Sequence, residues 1–293
     1  MEGHIQKSTR PHRRKKALGF LGDLYAILMY SVFYIPVAVM IAFSFNDAQR
    51  NYYWQGFTTE WYGKLFSFVN TDLWDALGYS VMIAVLATVI SVTVGVLGGI
   101  GLKKFKFVGK KFVDMMVYVP IIVPEIVLAV AMLIIFMTIG VKLGMGTILI
   151  GHCTFCIPYA VVTIKGRISG DNETLQEASM DLGANRLQTF FKVTVPSIMP
   201  GIMSSAFLSF TLSIDDVVMS NMLAGARQST LPVLILSMNR TGITPDANAL
   251  TTVMMVALVG GMLTVNAVQS HRKKKEARLV AEAEKAISAA NGR

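Results

Sequence analysis

Arg167 to Pro200 reads RISGDNETLQEASMDLGANRLQTFFKVTVPSIMP, and two patterned blocks in this stretch meet at a glycine. A connection of this length without structure of its own is uncommon, so the stretch is expected to fold. Thr174-Leu175-Gln176-Glu177 has the spacing of a capping box, the threonine capping a helix start and the glutamate reaching back. Leu175, Ala178 and Leu182 then share one helical face, and Gly183 stands where a helix should end. Asn185-Arg186-Leu187-Gln188 reads as a second cap, followed by Phe190 and Phe191, with Pro196 expected to stop that helix. The stretch therefore predicts two short helices around a glycine turn. Glu173, Glu177 and Asp181 on the first helix would be repelled by anionic headgroups, which disfavours a helix lying on lipid and suits docking to a protein.

On both sides of this stretch the chain is apolar. Its 293 residues are 53% hydrophobic and only 15% charged, whereas a soluble domain carries about 25% charge. The apolar residues form long runs, and a run of about 20 crosses a bilayer as a helix. Six such runs are legible: Phe20 to Phe45, Tyr79 to Leu102, Met115 to Met137, Gly146 to Ile164, Ile198 to Ala224, and Leu250 to Val268. The chain is thus expected to be an all-α membrane protein with six transmembrane helices. A basic tail (1–18) precedes the transmembrane domain (19–270, with the cytoplasmic connection 165–200), and a second tail (271–293) follows it. Leu231 to Met238 is apolar but too short to span, and is expected to be re-entrant or interfacial.

Charge sets the orientation. The net charge of +9 is concentrated in the N-terminus, in Lys103, Lys104, Lys106, Lys110 and Lys111, in the 165–200 connection, and in the C-terminus. Only Arg50, Lys64, Lys142, Arg227 and Arg240 fall on the other side. Lys and Arg accumulate in cytoplasmic loops, so both termini and the long connection are expected in the cytoplasm of a multi-pass protein of the bacterial inner membrane. The basic excess is explained by topology and the nearby lipid, and does not point to nucleic acid. The run after the basic N-terminus is too long for a signal peptide, and Ser44-Phe45-Asn46-Asp47 offers no small-residue cleavage site, so an uncleaved first helix is expected.

Several local patterns carry less than they suggest. Gly95, Gly98, Gly99 and Gly101 lie inside an apolar run, where close helix packing explains them better than nucleotide binding. No G-x-x-x-x-G-K-[ST] occurs, so the chain is expected to bind no ATP through a P-loop. His152-Cys153-Thr154-Phe155-Cys156 offers a C-x-x-C inside a membrane run, where cysteine acts as a small hydrophobe, and no metal site is expected. The aromatic connection with Tyr52, Tyr53, Trp54, Trp61, Tyr62 and Trp74 suits the headgroup boundary, or a surface that meets an external partner.

Ionisable residues inside membrane runs are costly and serve as pointers to cargo. Glu125 follows Pro124, and Asp215 and Asp216 lie together in the fifth run, with no Lys or Arg in the same stretches. A path lined by these carboxylates favours a cation. Pro36, Pro120, Pro124 and Pro158 interrupt the runs, as broken helices along transport paths do.

Glu177-Ala178-Ser179, three residues, Gly183, nine residues, then Val193-x-Val195-Pro196 resembles the E-A-A-x3-G-x9-I-x-L-P loop of ABC importer permeases, with three conservative departures. The resemblance implies the type I ABC importer permease fold and a non-catalytic transport subunit. It assigns ATPase coupling to Glu177, Ala178, Ser179, Asp181, Gly183, Ala184 and Pro196. The stretches from Ser209 to Val218 and Trp54 to Thr59, with Leu182-Gly183-Ala184, are similar to the C-type permease subunit of spermidine/putrescine transporters. That similarity implies a polyamine cargo passing Glu125, Asp215 and Asp216. The implied partners are a homologous permease subunit, an ATPase dimer that carries the Mg-ATP, and a periplasmic substrate-binding protein. An ABC permease for another cation or small solute is the alternative, and a stand-alone secondary transporter would be expected to show inverted repeats that this sequence lacks.

Overall fold

In a computed structural model the chain is described over residues 12–264, apart from 68–70, 169–170, 226–228, 243, 258 and 261–262. The described residues are mostly helical, joined by turns and by an irregular connection over 44–59 that contains an isolated bridge between Asn46 and Phe57. The tail segments 1–11 and 265–293 lie outside the described residues, as does Arg227. The chain divides into two units, residues 1–69 with 242–293, and residues 70–241.

The first unit contains α1 (His12–Phe43) and α2 (Glu60–Phe66), and a later helix, α12, over residues 245–257. The aromatic connection between α1 and α2 is organised around one buried amide. Asn46 donates from Nδ2 to the Tyr53 carbonyl at 2.9 Å, and its Oδ1 accepts the Gln55 N–H at 2.8 Å. Its own carbonyl accepts the Trp61 indole N–H at 2.8 Å, and Phe45 stacks on Phe57. A polar residue that satisfies this many turn groups holds an otherwise irregular loop in one shape.

The second unit holds the remaining helices. They are α3 (Thr71–Lys104), α4 (Lys110–Ile122), α5 (Glu125–Thr138), α6 (Met145–Arg167), α7 (Asp171–Asp181), α8 (Arg186–Thr189), α9 (Val195–Ile214), α10 (Val218–Leu223) and α11 (Leu231–Thr241). A π-helical turn, Phe190–Thr194, joins α8 to α9. The apolar core between α3, α5, α6 and α10 is built from Ile83, Ala129, Phe136, Ile148, Phe155, Cys156, Met219 and Leu223.

The α3–α6 contact depends on missing side chains. A Cβ on Gly95 would lie 2.7 Å from the Ala160 Cβ, and one on Gly99 would lie 3.2 Å from Ile164 Cγ2. The glycines expected to serve packing therefore do so at three positions, Gly98 facing Val161 Cγ2 at 3.3 Å as well, whereas Gly101 faces open space. Gly95→Val is expected to lower stability by about 1–3 kcal/mol through overpacking. Thermal unfolding in detergent, with Gly101→Ala as the neutral control, measures it.

Four helices among the described residues are long and apolar enough to cross a membrane: Gly22–Phe43, Asp72–Lys104, Met145–Arg167 and Arg186–Ile214. The pair α4 and α5 is long and apolar enough only when taken together, and it is bent by 106° at the junction, the shape of a broken span or of a re-entrant loop. The expected straight run from Met115 to Met137 is thus corrected to two helices. Pro124 forces Val123 into extended backbone (ψ 131°) and cannot itself donate, so α4 ends and α5 starts in a new direction. The sixth expected run, Leu250 to Val268, falls partly outside the described residues. Leu231 to Met238 lies in α11, 11 residues long, about 16 Å and therefore short of a crossing.

Two expectations about the polar loop also change. The chain is already helical at Asp171, so Thr174 lies within α7 and does not stand at its N-cap position. Pro196 does not stop the second helix, because the helix continues from Arg186 to Ile214. The π-turn ahead of Pro196 widens the backbone, and the proline sits at the start of α9, where its missing N–H is tolerated.

Candidate functional site

Two helix breaks meet at one cavity. The first is the α4–α5 bend at Val123 and Pro124, which leaves Glu125 at the start of α5. The second lies between α9 and α10, where Asp215, Asp216 and Val217 interrupt the helix. The cavity, of about 510 Å³, is lined by Glu125, Asp215 and Asp216 together with Phe155 and Tyr159 from α6 and apolar residues of the breaks. The three carboxylates expected from the sequence to mark a path are thus brought together, although Glu125 and the Asp pair are some 90 residues apart in the chain. No Lys or Arg is among the lining residues.

The carboxylates differ in setting. Glu125 and Asp215 are exposed, whereas Asp216 is buried. Asp216 caps the short α10: Oδ1 accepts the Met219 N–H at 3.2 Å and Oδ2 accepts the Ser220 N–H at 2.8 Å. Its Oδ2 also lies 3.1 Å from His152 Nε2. Helix N-terminal amides and the imidazole are the donors that a buried carboxylate requires. Sequence reading set His152 aside with the C-x-x-C. The structure separates the two: Cys156 packs in the core, with its thiol 3.6 Å from the Ser209 carbonyl, and His152 joins Asp216 instead. A usable signal was the small-residue face of α9, where Ser205, Ser209 and Ser213 recur every fourth residue and are all buried.

The polar loop stands apart from the cavity. α7 ends in a left-handed residue, Gly183 with φ 88°, and the Ala184 N–H closes on the Ser179 carbonyl at 3.1 Å. Asn185 and Gln188 form a reciprocal cap, with Oδ1 accepting the Gln188 N–H at 2.8 Å and Oε1 accepting the Asn185 N–H at 3.0 Å. Gln176 is the buried face of α7 and accepts from the ammonium of Lys104 at the end of α3. Ser179 lies against Thr189, at 3.3 Å between hydroxyls, which holds the two loop helices together. Glu177, Ala178, Asp181, Gly183 and Pro196 are exposed, and Ser179 and Ala184 are half-buried. Leu182 is 89% exposed, Leu187 71% and Phe191 65%. The acidic loop thus carries uncovered large apolar side chains, the feature by which interaction surfaces are marked.

Residues 91–275 match the family described as "Binding-protein-dependent transport system inner membrane component". The chain is 39% identical to the spermidine/putrescine transport system permease protein PotC of Haemophilus influenzae, over 81% of this chain and 91% of that one. It is 34% identical to the putrescine transport system permease protein PotI of Escherichia coli, over 80% and 86%. Among solved structures, a bacterial ABC transporter that imports the acidic polysaccharide alginate contains a chain with the same fold. Its TM-score is 0.65 at 16% identity, covering 88% of this chain and 99% of that one. The MetNI methionine ABC transporter contains another, with a TM-score of 0.51 at 19% identity over 69% and 94%.

Proposed function

Because the chain belongs to the binding-protein-dependent transport system inner membrane components, we propose that it is the membrane-spanning permease subunit of an ATP-driven importer whose cargo is a polyamine, spermidine or putrescine. The observation that carries the cargo is the cavity in which Glu125, Asp215 and Asp216 meet without a cation of the protein's own. Polyamines are elongated, multiply charged cations, and a cavity of this sign lowers their free energy and raises that of anions. Relatives named for spermidine and putrescine transport support the same reading.

In this reading the subunit is not itself an enzyme. Glu177, Ala178, Ser179, Asp181, Gly183, Ala184 and Pro196 form the surface on which a partner ATPase docks, and the Mg-ATP is bound there by the partner. Closure of the ATPase dimer moves α7 and α8. The unbroken helix from Arg186 to Ile214 carries that movement, over a length of about 43 Å, to the break at Asp215. The chain crosses the bacterial inner membrane six times with both termini in the cytoplasm, a topology supported by the placement of Lys and Arg. It pairs with a homologous permease and receives cargo from a periplasmic binding protein.

The test is uptake by proteoliposomes that contain this chain with its homologous permease, ATPase and binding protein. Labelled putrescine or spermidine is expected to accumulate only when ATP and the binding protein are both supplied. Accumulation without the ATPase would make the chain a secondary transporter. Accumulation of a neutral solute at the same rate would remove the polyamine assignment.

A further inference from the structure

His152 stands beside the cavity without a task in the cation path. It is 1% exposed, and it is not a lining residue. Its Nδ1 is 2.6 Å from Ser213 Oγ in the last turn of α9. Its Nε2 is 3.0 Å from Ser220 Oγ in α10 and 3.1 Å from Asp216 Oδ2 in the break between them. One ring from α6 therefore touches both sides of the break and the carboxylate within it. With Asp216 as acceptor the imidazole proton sits on Nε2, which leaves Nδ1 to accept from the Ser213 hydroxyl. Phe155, on the same helix with its ring centroid 5.4 Å away, lines the cavity. A buried polar network whose members are all paired fixes one geometry, and removing its hub leaves several groups unpaired at once.

We propose that His152 is a positioning residue of the cation path: it holds the Asp216 carboxylate in its cavity-lining orientation and locks the break between α9 and α10. The inference rests on the reading of Asp216 as a group that meets the cargo. The ring does not touch the cargo, and acts through Asp216. A positioning residue sets how charges along the path match the spacing of ammonium groups on the cargo. Its loss should therefore change the preference between a dication and a trication, which general loosening of the core would not do.

The experiment measures putrescine and spermidine uptake by the complete importer carrying His152→Ala, His152→Gln or Asp216→Asn, with membrane abundance and thermal stability recorded for each. His152→Ala is expected to lower maximal uptake about tenfold through unpaired buried groups. Half-saturation should stay unchanged, because the binding protein captures the cargo. The spermidine-to-putrescine ratio is expected to shift by about threefold or more. His152→Gln, whose amide can both donate to Asp216 and accept from Ser213, should recover most of the rate and of the ratio. If His152→Ala folds poorly, the ratio in His152→Gln against that in His152→Phe decides. An equal fall for both cargoes at a constant ratio, or wild-type uptake by the histidine variants while Asp216→Asn is impaired, overturns the positioning role alone. Wild-type uptake by Asp216→Asn overturns the cargo contact on which it rests.

Discussion

Gly183→Asp and Glu177→Lys are each expected to reduce polyamine uptake about tenfold or more, the loss that follows when some 1.4 kcal/mol of interaction with the ATPase is removed. Membrane abundance and thermal stability should remain near wild type. The expectation follows from where the residues stand. A Cβ at Gly183 meets nothing within 4 Å, so the added branch starts into open space. The internal cost is that of a left-handed φ of 88°, about 1 kcal/mol and less for Asp than for most residues. Glu177 is exposed and caps no helix, so charge reversal there acts on whatever covers the loop. A large functional loss with a small structural one therefore places the effect outside the chain. ATP hydrolysis stimulated by the loaded binding protein should fall with uptake, because docking and coupling use the same surface. Normal uptake by both variants would remove the coupling assignment of the loop.

The second large effect concerns the cavity. The triple variant Glu125→Gln, Asp215→Asn, Asp216→Asn is expected to lose putrescine and spermidine uptake by about 100-fold, since each carboxylate near an ammonium group contributes on the order of 1 kcal/mol even when water screens it. Amides keep the shape of each side chain, so the change is one of charge. Glu125 and Asp215 are exposed, so their double replacement should change stability little. Asp216 is the exception. An asparagine there puts an amide NH2 in place of one of the two oxygens that now accept the Met219 and Ser220 N–H groups, so one present hydrogen bond must rearrange at a cost of about 1 kcal/mol. The double variant thus separates charge from stability. If it and the triple variant both import at the wild-type rate, the acidic path is wrong.

Much of this is legible in the sequence. The first, second and fourth runs became helices because a long apolar stretch has no other way to satisfy its backbone in lipid. Gly183 and the Asn185–Gln188 cap were readable because their signals are local, set by residues within one turn. The errors arose where a local signal met a tertiary one. Pro124 was visible, but periodicity cannot tell a kink from a 106° bend. Pro196 reads as a stop unless the π-turn before it is known. Glu125, Asp215 and Asp216 were picked out because charge in an apolar run is costly, yet nothing in the order of residues says that the two breaks face one cavity. His152 was hidden for the same reason, since its partners Ser213, Asp216 and Ser220 lie more than 60 residues away. Its neighbouring cysteines offered a louder pattern.

The π-turn at Phe190–Thr194 has a consequence for how the two ends of the long helix are aimed. A π-turn holds one more residue than the α-helical turn it replaces, and one residue corresponds to about 100° of rotation around the helix axis. That extra residue sets the azimuth of Ser205, Ser209 and Ser213 relative to Leu187 on the loop. With it, the serine face turns inward while Leu187 turns out. Substitutions inside the turn leave this relation alone, whereas a deletion of one residue would swing Ser213 away from His152 with the loop still in place. It is the length of this short segment, more than its composition, that keeps the docking end and the cavity end in phase.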